Sequence, residues 1–144
     1  MSAGAQVKAR LNFNHPVKEL VWAMHTGGLR NTLNGTTDTA LLKLNGHDRF
    51  AARPLTYFTR LQVHQHHSGP GGLDVDQSDA KLLDSIAVYS FALKPEEHQP
   101  SGTCNFSRID NAVLESPSDA LFIYAVNYNV LRIMSGMGGL AYSN

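Results

Sequence analysis

The chain has 144 residues, enough for one domain with a buried core, and 42% apolar with 17% charged residues is the balance of a folded protein. Twelve acidic and twelve basic residues cancel, which removes the field that a nucleic-acid or anionic-membrane binder relies on. One cysteine, Cys104, has no internal partner and fits a reducing compartment. Residues 1–10 lack the apolar stretch of a signal peptide, and the strongest apolar run, 86–93, is far shorter than the ~18 residues of a membrane helix. The expectation is a soluble, non-exported protein.

Period-two alternation dominates the chain. Ala9, Leu11 and Phe13 alternate with Arg10, Asn12 and Asn14, predicting a half-buried strand over 9–13. His15-Pro16 interrupts it, and a second strand over 17–25 carries Trp22. Gly27-Gly28, Asn34-Gly35 and Asn45-Gly46 read as turns around a short extended piece at 40–44. Residues 57–66 suit either a strand or a short helix. After the loop Ser68-Gly69-Pro70-Gly71-Gly72, Ser78 is placed to cap a short helix over 79–84.

The last third has the plainest pattern. Residues 86–93 are β-branched and aromatic on both faces, as in a doubly buried strand. A weaker strand is predicted over 103–114. Over 121–134, Phe122, Tyr124, Val126, Tyr128 and Val130 share a face and are expected to be the buried one, with Ile86, Val88 and Phe91 in the adjoining core. At ~3.3 Å per residue that strand would span roughly 46 Å. The tail, 136–144, reads as irregular. Many strands, no long helical period and no repeat predict an all-β sandwich or jelly roll, taken as one domain over 1–144.

Several segments carry a more specific signal. They are Leu11-Asn12-Phe13-Asn14-His15-Pro16 running on to Trp22, Leu44-Asn45-Gly46-His47-Asp48-Arg49-Phe50, and Gln65-His66-His67. The longest runs from Val88-Tyr89-Ser90-Phe91 through Lys94-Pro95-Glu96-Glu97-His98-Gln99-Pro100-Ser101-Gly102-Thr103-Cys104-Asn105-Phe106-Ser107 to Ala112. Asn127-Tyr128-Asn129-Val130-Leu131-Arg132-Ile133-Met134-Ser135-Gly136-Met137-Gly138-Gly139-Leu140 closes the set. In this order they resemble the major capsid proteins of nucleocytoplasmic large DNA viruses.

That resemblance implies the C-terminal jelly roll of a double jelly-roll protein, lacking its first strands. It implies a structural role and no enzymatic one: homotrimers as pseudo-hexagonal capsomers of an icosahedral shell, contacting other capsid subunits and minor capsid proteins. Assembly in the host cytoplasm into the virion is implied too, with no nucleic acid, cofactor or catalytic residue. The jelly-roll sheets are B-I-D-G and C-H-E-F. By resemblance, 9–13 and 17–25 would be E and F, and 86–93, 103–114 and 121–134 would be G, H and I. Strands B, C and D would then come from elsewhere by strand addition. The stretch 73–85 is longer than the family pattern leads one to expect and is a candidate contact loop.

Other chemistries have partial signals. His64 and His66, at i and i+2 on a strand, with His67 or His98, invite a metal reading, but no carboxylate or thiolate stands at matching spacing. His64-Gln65-His66 begins a cupin motif whose glutamate is missing. Asp74-Val75-Asp76 starts a calcium loop that fails at Asp79 and Ser85, and Ser78-Asp79-Ala80-Lys81 lacks companion motifs. Cys104 reads as a small buried hydrophobe and not a nucleophile. Gly136–Gly139 lacks the lysine of a phosphate loop. Arg108 and Asp110, i and i+2 on an extended chain, would share a face. Asn34 and Asn105 sit in glycosylation patterns, read as unused without a secretory route. The alternative from another class is a carbohydrate-binding module with Tyr57, Phe58 and Tyr142 as sugar-stacking aromatics.

Overall fold

The alternation resolves into strands that pair across two facing sheets. A computed structural model describes residues 6–26, 29–30, 38–69, 73–75, 82–84, 86–117 and 121–142. Its strands are β1 (Val7–Leu11), β2 (Pro16–Thr26), β3 (Leu29–Arg30), β4 (Thr39–Leu44), β5 (His47–Asp48) and β6 (Arg53–Pro54). Next come β7 (Leu73–Val75), β8 (Leu82–Asp84), β9 (Ile86–Ser90), β10 (Cys104–Asn105), β11 (Ala112–Ser116), β12 (Leu121–Asn127), β13 (Leu131–Met134) and β14 (Met137–Leu140). Between β6 and β7 a π-helical turn, Tyr57–Leu61, runs into α1 (Gln62–His66).

All pairings are antiparallel. One sheet has the order β1-β11-β4-β5. In the other, β12 takes one edge of β2 while β9 and then β10 take the opposite edge. Set against the jelly-roll orders C-H-E-F and B-I-D-G, β1, β11, β4 and β5 fill C, H, E and F, and β12, β2 and β9 fill I, D and G. This corrects the expected strand assignment. The stretch read as F is D, the neighbour that G and I share, and the stretch read as E is C. Of the three strands thought to be missing, only B has no counterpart among the described residues, and its place is the second edge of β12.

The register decides which side chains enter the core. Trp22 lies opposite Ile123 on one side and Ala87 on the other; Leu20 lies opposite Ala125 and Tyr89. These face Leu42, Leu114, Ala112 and Leu11 of the other sheet, and Leu55 and Phe58 fill the space between. The Trp22 ring stacks obliquely on Phe58 at 5.2 Å, and Phe50, Phe58 and Tyr89 are in mutual ring contact. Phe91 and Ile123 pack on this cluster from its margin.

Several expectations about the last third are overturned. Phe122, Tyr124 and Val126 are on the outer side of β12, and Leu121, Ile123 and Ala125 point inward. Val88 is buried and Ile86 half-buried, but their register with Val21 and Ala23 puts both on that outer side too. The single strand over 121–134 is two strands. The ladder shifts register between Val126 and Asn127, and Asn129 turns its own side chain onto the Val130 N–H, taking that donor from any ladder. The tail is not irregular: β13 and β14 form a hairpin through Ser135-Gly136, with φ values of 50° and 78°. Positive φ at both central residues makes this a two-residue turn of matching twist, which glycine makes inexpensive.

The expected strand over 103–114 is broken by a 3-10 turn, Phe106–Arg108, whose start Asn105 caps by accepting the Ser107 N–H. Arg108 and Asp110 are therefore not an alternating pair. Residues 57–66 take the helical option. Leu82–Asp84 pair with Leu73–Val75 as a strand, not as the end of a helix, and Ser78 to Lys81 lie outside the described residues, as does Asn34.

The outer face of the first sheet is charged. Lys43 Nζ donates to Glu115 Oε1 at 2.9 Å and Lys8 Nζ lies 3.5 Å from the same oxygen. The Lys43 hydrogen bond holds the Glu115 carboxyl below its ordinary 4.5 although burial pushes the other way. A carboxylate lowered on folding contributes stability above its unfolded value and loses it as pH falls through the folded one. Thermal unfolding should therefore soften as pH drops below about 4.5, and Glu115→Gln should flatten that limb of the profile; an unchanged acid limb would remove the pair from the account. Leu114→Ala should cost ~2–5 kcal/mol by urea denaturation, against about 0.5 kcal/mol or less for Tyr124→Ala. The reverse order would put the wrong face of β12 in the core.

Candidate assembly surface

Two sheets sharing one core present two outer faces, and their chemistry differs. Lys8, Arg10, Lys43 and Glu115 put charges on the β1-β11-β4 face, where Glu115 and its register partner Leu41 are themselves buried. The β9-β2-β12 face places Val21 opposite Tyr124 and Val88, and Ala23 opposite Phe122 and Ile86. Half of it is closed by the chain itself and half is open.

The closed half lies over β9. Gln62 Oε1 accepts the Ser90 N–H at 3.1 Å, so α1 covers the free edge of β9. From the end of α1, His67 Nε2 lies 2.8 Å from Glu19 Oε2 on β2, and Nδ1 lies 3.2 Å from Glu96 Oε1. The Ser68 backbone N–H also donates to Glu96, and this bond is the main reason its carboxyl is held below the ordinary range. Lys18 Nζ donates to the carbonyls of Pro95 at 2.8 Å and Glu97 at 3.5 Å. The 93–97 loop is thus tied to α1 and β2 by charge-assisted bonds. Gly102 closes the loop's return: a Cβ there would sit 2.8 Å from the Phe91 carbonyl oxygen.

The open half is β12 together with the hairpin C-terminal to it. Tyr124 is 61% exposed and Val126 40%; beyond them Leu131, Ile133, Met137 and Leu140 of the hairpin are each more than 60% exposed. Pairing of Leu131 with Leu140, and of Ile133 with Gly138, makes one hairpin face wholly apolar. Beside the hairpin's base, His15, Ser107, Tyr128, Val130 and Tyr142 line a cleft of about 300 Å³. The buried Tyr128 hydroxyl has no hydrogen-bond partner there.

The residues that suggested other chemistries are scattered. His64 is on a helix and exposed; i and i+2 on a helix do not face one another, so the strand geometry behind the metal and cupin readings does not exist. His66 Nδ1 lies 3.0 Å from the Leu93 carbonyl oxygen, and His98 is exposed on the loop. Among the described residues no three His, Cys, Asp or Glu side chains converge as a metal site would require. Burial pushes the Cys104 thiol up, which disfavours the thiolate a nucleophile needs. Phe58 is fully buried and Tyr57 half-buried, leaving Tyr142 alone of the three aromatics expected to stack on sugars. The hairpin's exposed face and the doubly bridged His67 had no counterpart among the sequence-based expectations. Alternation of Leu131 and Ile133 before Ser-Gly was the available signal for the first.

Comparison with known proteins agrees with this architecture. Residues 2–120 match the family described as large eukaryotic DNA virus major capsid protein. The chain is 50% identical to the major capsid protein of Pyramimonas orientalis virus, covering 97% of this chain and 40% of that one. It is 38% identical to that of Paramecium bursaria Chlorella virus 1, covering 97% and 44%. A quasi-atomic model of the capsid of the latter virus, PBCV-1, superposes with a TM-score of 0.77 at 35% identity over 97% of this chain and 46% of that one. The Faustovirus major capsid protein, at 13% identity and a TM-score of 0.55, shares the fold. The chain thus spans less than half the length of these relatives. With two jelly-roll sheets in the family order and a sequence match across most of its length, the chain belongs to the major capsid protein family of large eukaryotic DNA viruses.

Proposed function

We propose that the protein is a shell subunit: residues 1–144 form one jelly-roll domain of a capsid protein that self-associates as homotrimers tiling an icosahedral shell. The observation that carries this reading is the match to a subunit of an assembled viral capsid over 97% of the chain. The surface agrees with it, because an open apolar face on a folded domain marks a site of association. Contacts with other capsid subunits and minor capsid proteins, location in the virion and assembly in host cytoplasm belong to the same reading. Neutral net charge speaks against packaging nucleic acid. No helix among the described residues is long and apolar enough to cross a membrane. The function needs no catalytic group or cofactor, and affinity arises from weak contacts repeated across a closed lattice. A carbohydrate-binding module is disfavoured, because the core encloses the Phe58 ring that would stack on sugar.

Native mass spectrometry of the intact capsomer should give a homotrimer. A full-length subunit that stays monomeric at high concentration would sink the capsid reading.

A further inference from the structure

We propose that the cleft walled by His15, Ser107, Tyr128 and Tyr142 binds a short proline-rich segment, in the polyproline II conformation, of another protein of the shell. The proposal rests on the capsid reading and names the chemistry of one partner.

The walls are rings held in place. The cleft encloses about 300 Å³ and is lined by His15, Pro16, Tyr128 and Tyr142, at the low end of the range for ligand pockets. His15 and Tyr142 stand with ring centroids 6.2 Å apart and planes tilted by 46°. Tyr142 is 60% exposed, and Tyr128 offers its ring, since its hydroxyl is buried. His15 is fixed at φ 69°. Its N–H donates to Ser107 Oγ at 2.9 Å, and its carbonyl accepts the Phe106 N–H at 3.1 Å. A site set in advance leaves little ordering cost to fall on binding.

The known ways of holding a peptide can be weighed against these walls. An added strand needs free main-chain groups, and here they are engaged. The Pro16 carbonyl accepts from the Tyr128 N–H, and the Val130 carbonyl from the Ala141 N–H. Asn105 Oδ1 takes the Ser107 N–H, Asn129 Oδ1 the Val130 N–H, and the Tyr142 carbonyl accepts from Asn129 Nδ2. A helix, about 10 Å across, is too thick for this volume. An acidic or phosphorylated segment needs Lys or Arg, and neither lines the cleft among the described residues. Only side chains remain. Asn105 spends its amide oxygen and keeps its NH2; Ser107 Oγ accepts from His15 and keeps its hydroxyl hydrogen. Donors set between rings suit a polyproline II chain, which carries proline rings to stack and carbonyls with no internal bond. Pro95 and Pro100 are the nearest pair of prolines in this sequence, too far apart for a second copy to supply the segment.

The test is fluorescence anisotropy of a labelled decaproline peptide titrated with the full-length subunit. Saturable binding should appear at one peptide per subunit, and a Gly-Ser decapeptide should show none. Asn105→Asp keeps the oxygen that caps the Ser107 N–H and removes the NH2 donor; Tyr142→Ala removes an exposed ring. Each should weaken binding at least tenfold, while Arg10→Ala, on the opposite sheet, should leave it unchanged. No saturable binding, equal binding of the two peptides, or affinity untouched by either cleft substitution would overturn the site. The capsid reading is scored separately by mass. Homotrimers that ignore decaproline keep that reading and overturn the site, and monomers that bind decaproline do the reverse.

Discussion

Hydrogen bonding along both edges of β2 is the constraint on which the rest of the domain depends. Residues 19–23 pair with β9 on one side while residues 17–24 pair with β12 on the other. A strand paired on both sides has one register that serves both neighbours, because a slip of one residue would turn every side chain to the opposite face. With β2 fixed, Trp22 and Leu20 point at the second sheet and Val21 and Glu19 point away from it. The Trp22–Phe58 contact then holds the helical turn at 57–61 inside the sandwich, and α1 is delivered to the edge of β9. The His67 bridge between Glu19 and Glu96 is possible only because Glu19 is on the outer face.

This arrangement explains why the two outer faces differ. Charge on the β1-β11-β4 face carries little stability by itself, since exposed ion pairs are worth about 0–1 kcal/mol. On the other sheet the chain uses α1 and the 93–97 loop to cover β9, and among the described residues none covers the outer face of β12 in the same way. The coverage is uneven because α1 enters from the β9 side. The open β12 side is thus a consequence of chain connectivity as much as of composition.

Much of the architecture was legible in the sequence. Alternation located β1, β2 and β12, flanking turns marked β4 and a run apolar on both faces marked β9, and the Asn45-Gly46 turn between β4 and β5 has the positive φ values its residues suit. The all-β class and the jelly roll were legible as well. The strand letters were not, because letters depend on which strands pair, and alternation reports burial without reporting a neighbour. Val17 and Trp22 look alike in a strand flanked on one side or on two. The 3-10 turn at Phe106–Arg108 was missed because its cap is a side-chain bond from Asn105, a local competitor to the ladder that period-two counting does not register.

The inverted face of β12 is the most instructive difference. Phe122, Tyr124 and Val126 are bulkier than Leu121, Ile123 and Ala125, so a rule that larger apolar side chains point inward selects the wrong side. The interior behind β12 is already filled by Trp22, Phe58 and Leu20, and packing density there leaves room only for the smaller set. Size therefore measures demand for burial without saying which body meets it. Where a strand has a modest inner face and a heavy outer one, the domain's own core takes up the smaller set and leaves the larger exposed, as it does at Tyr124 and Phe122 of β12.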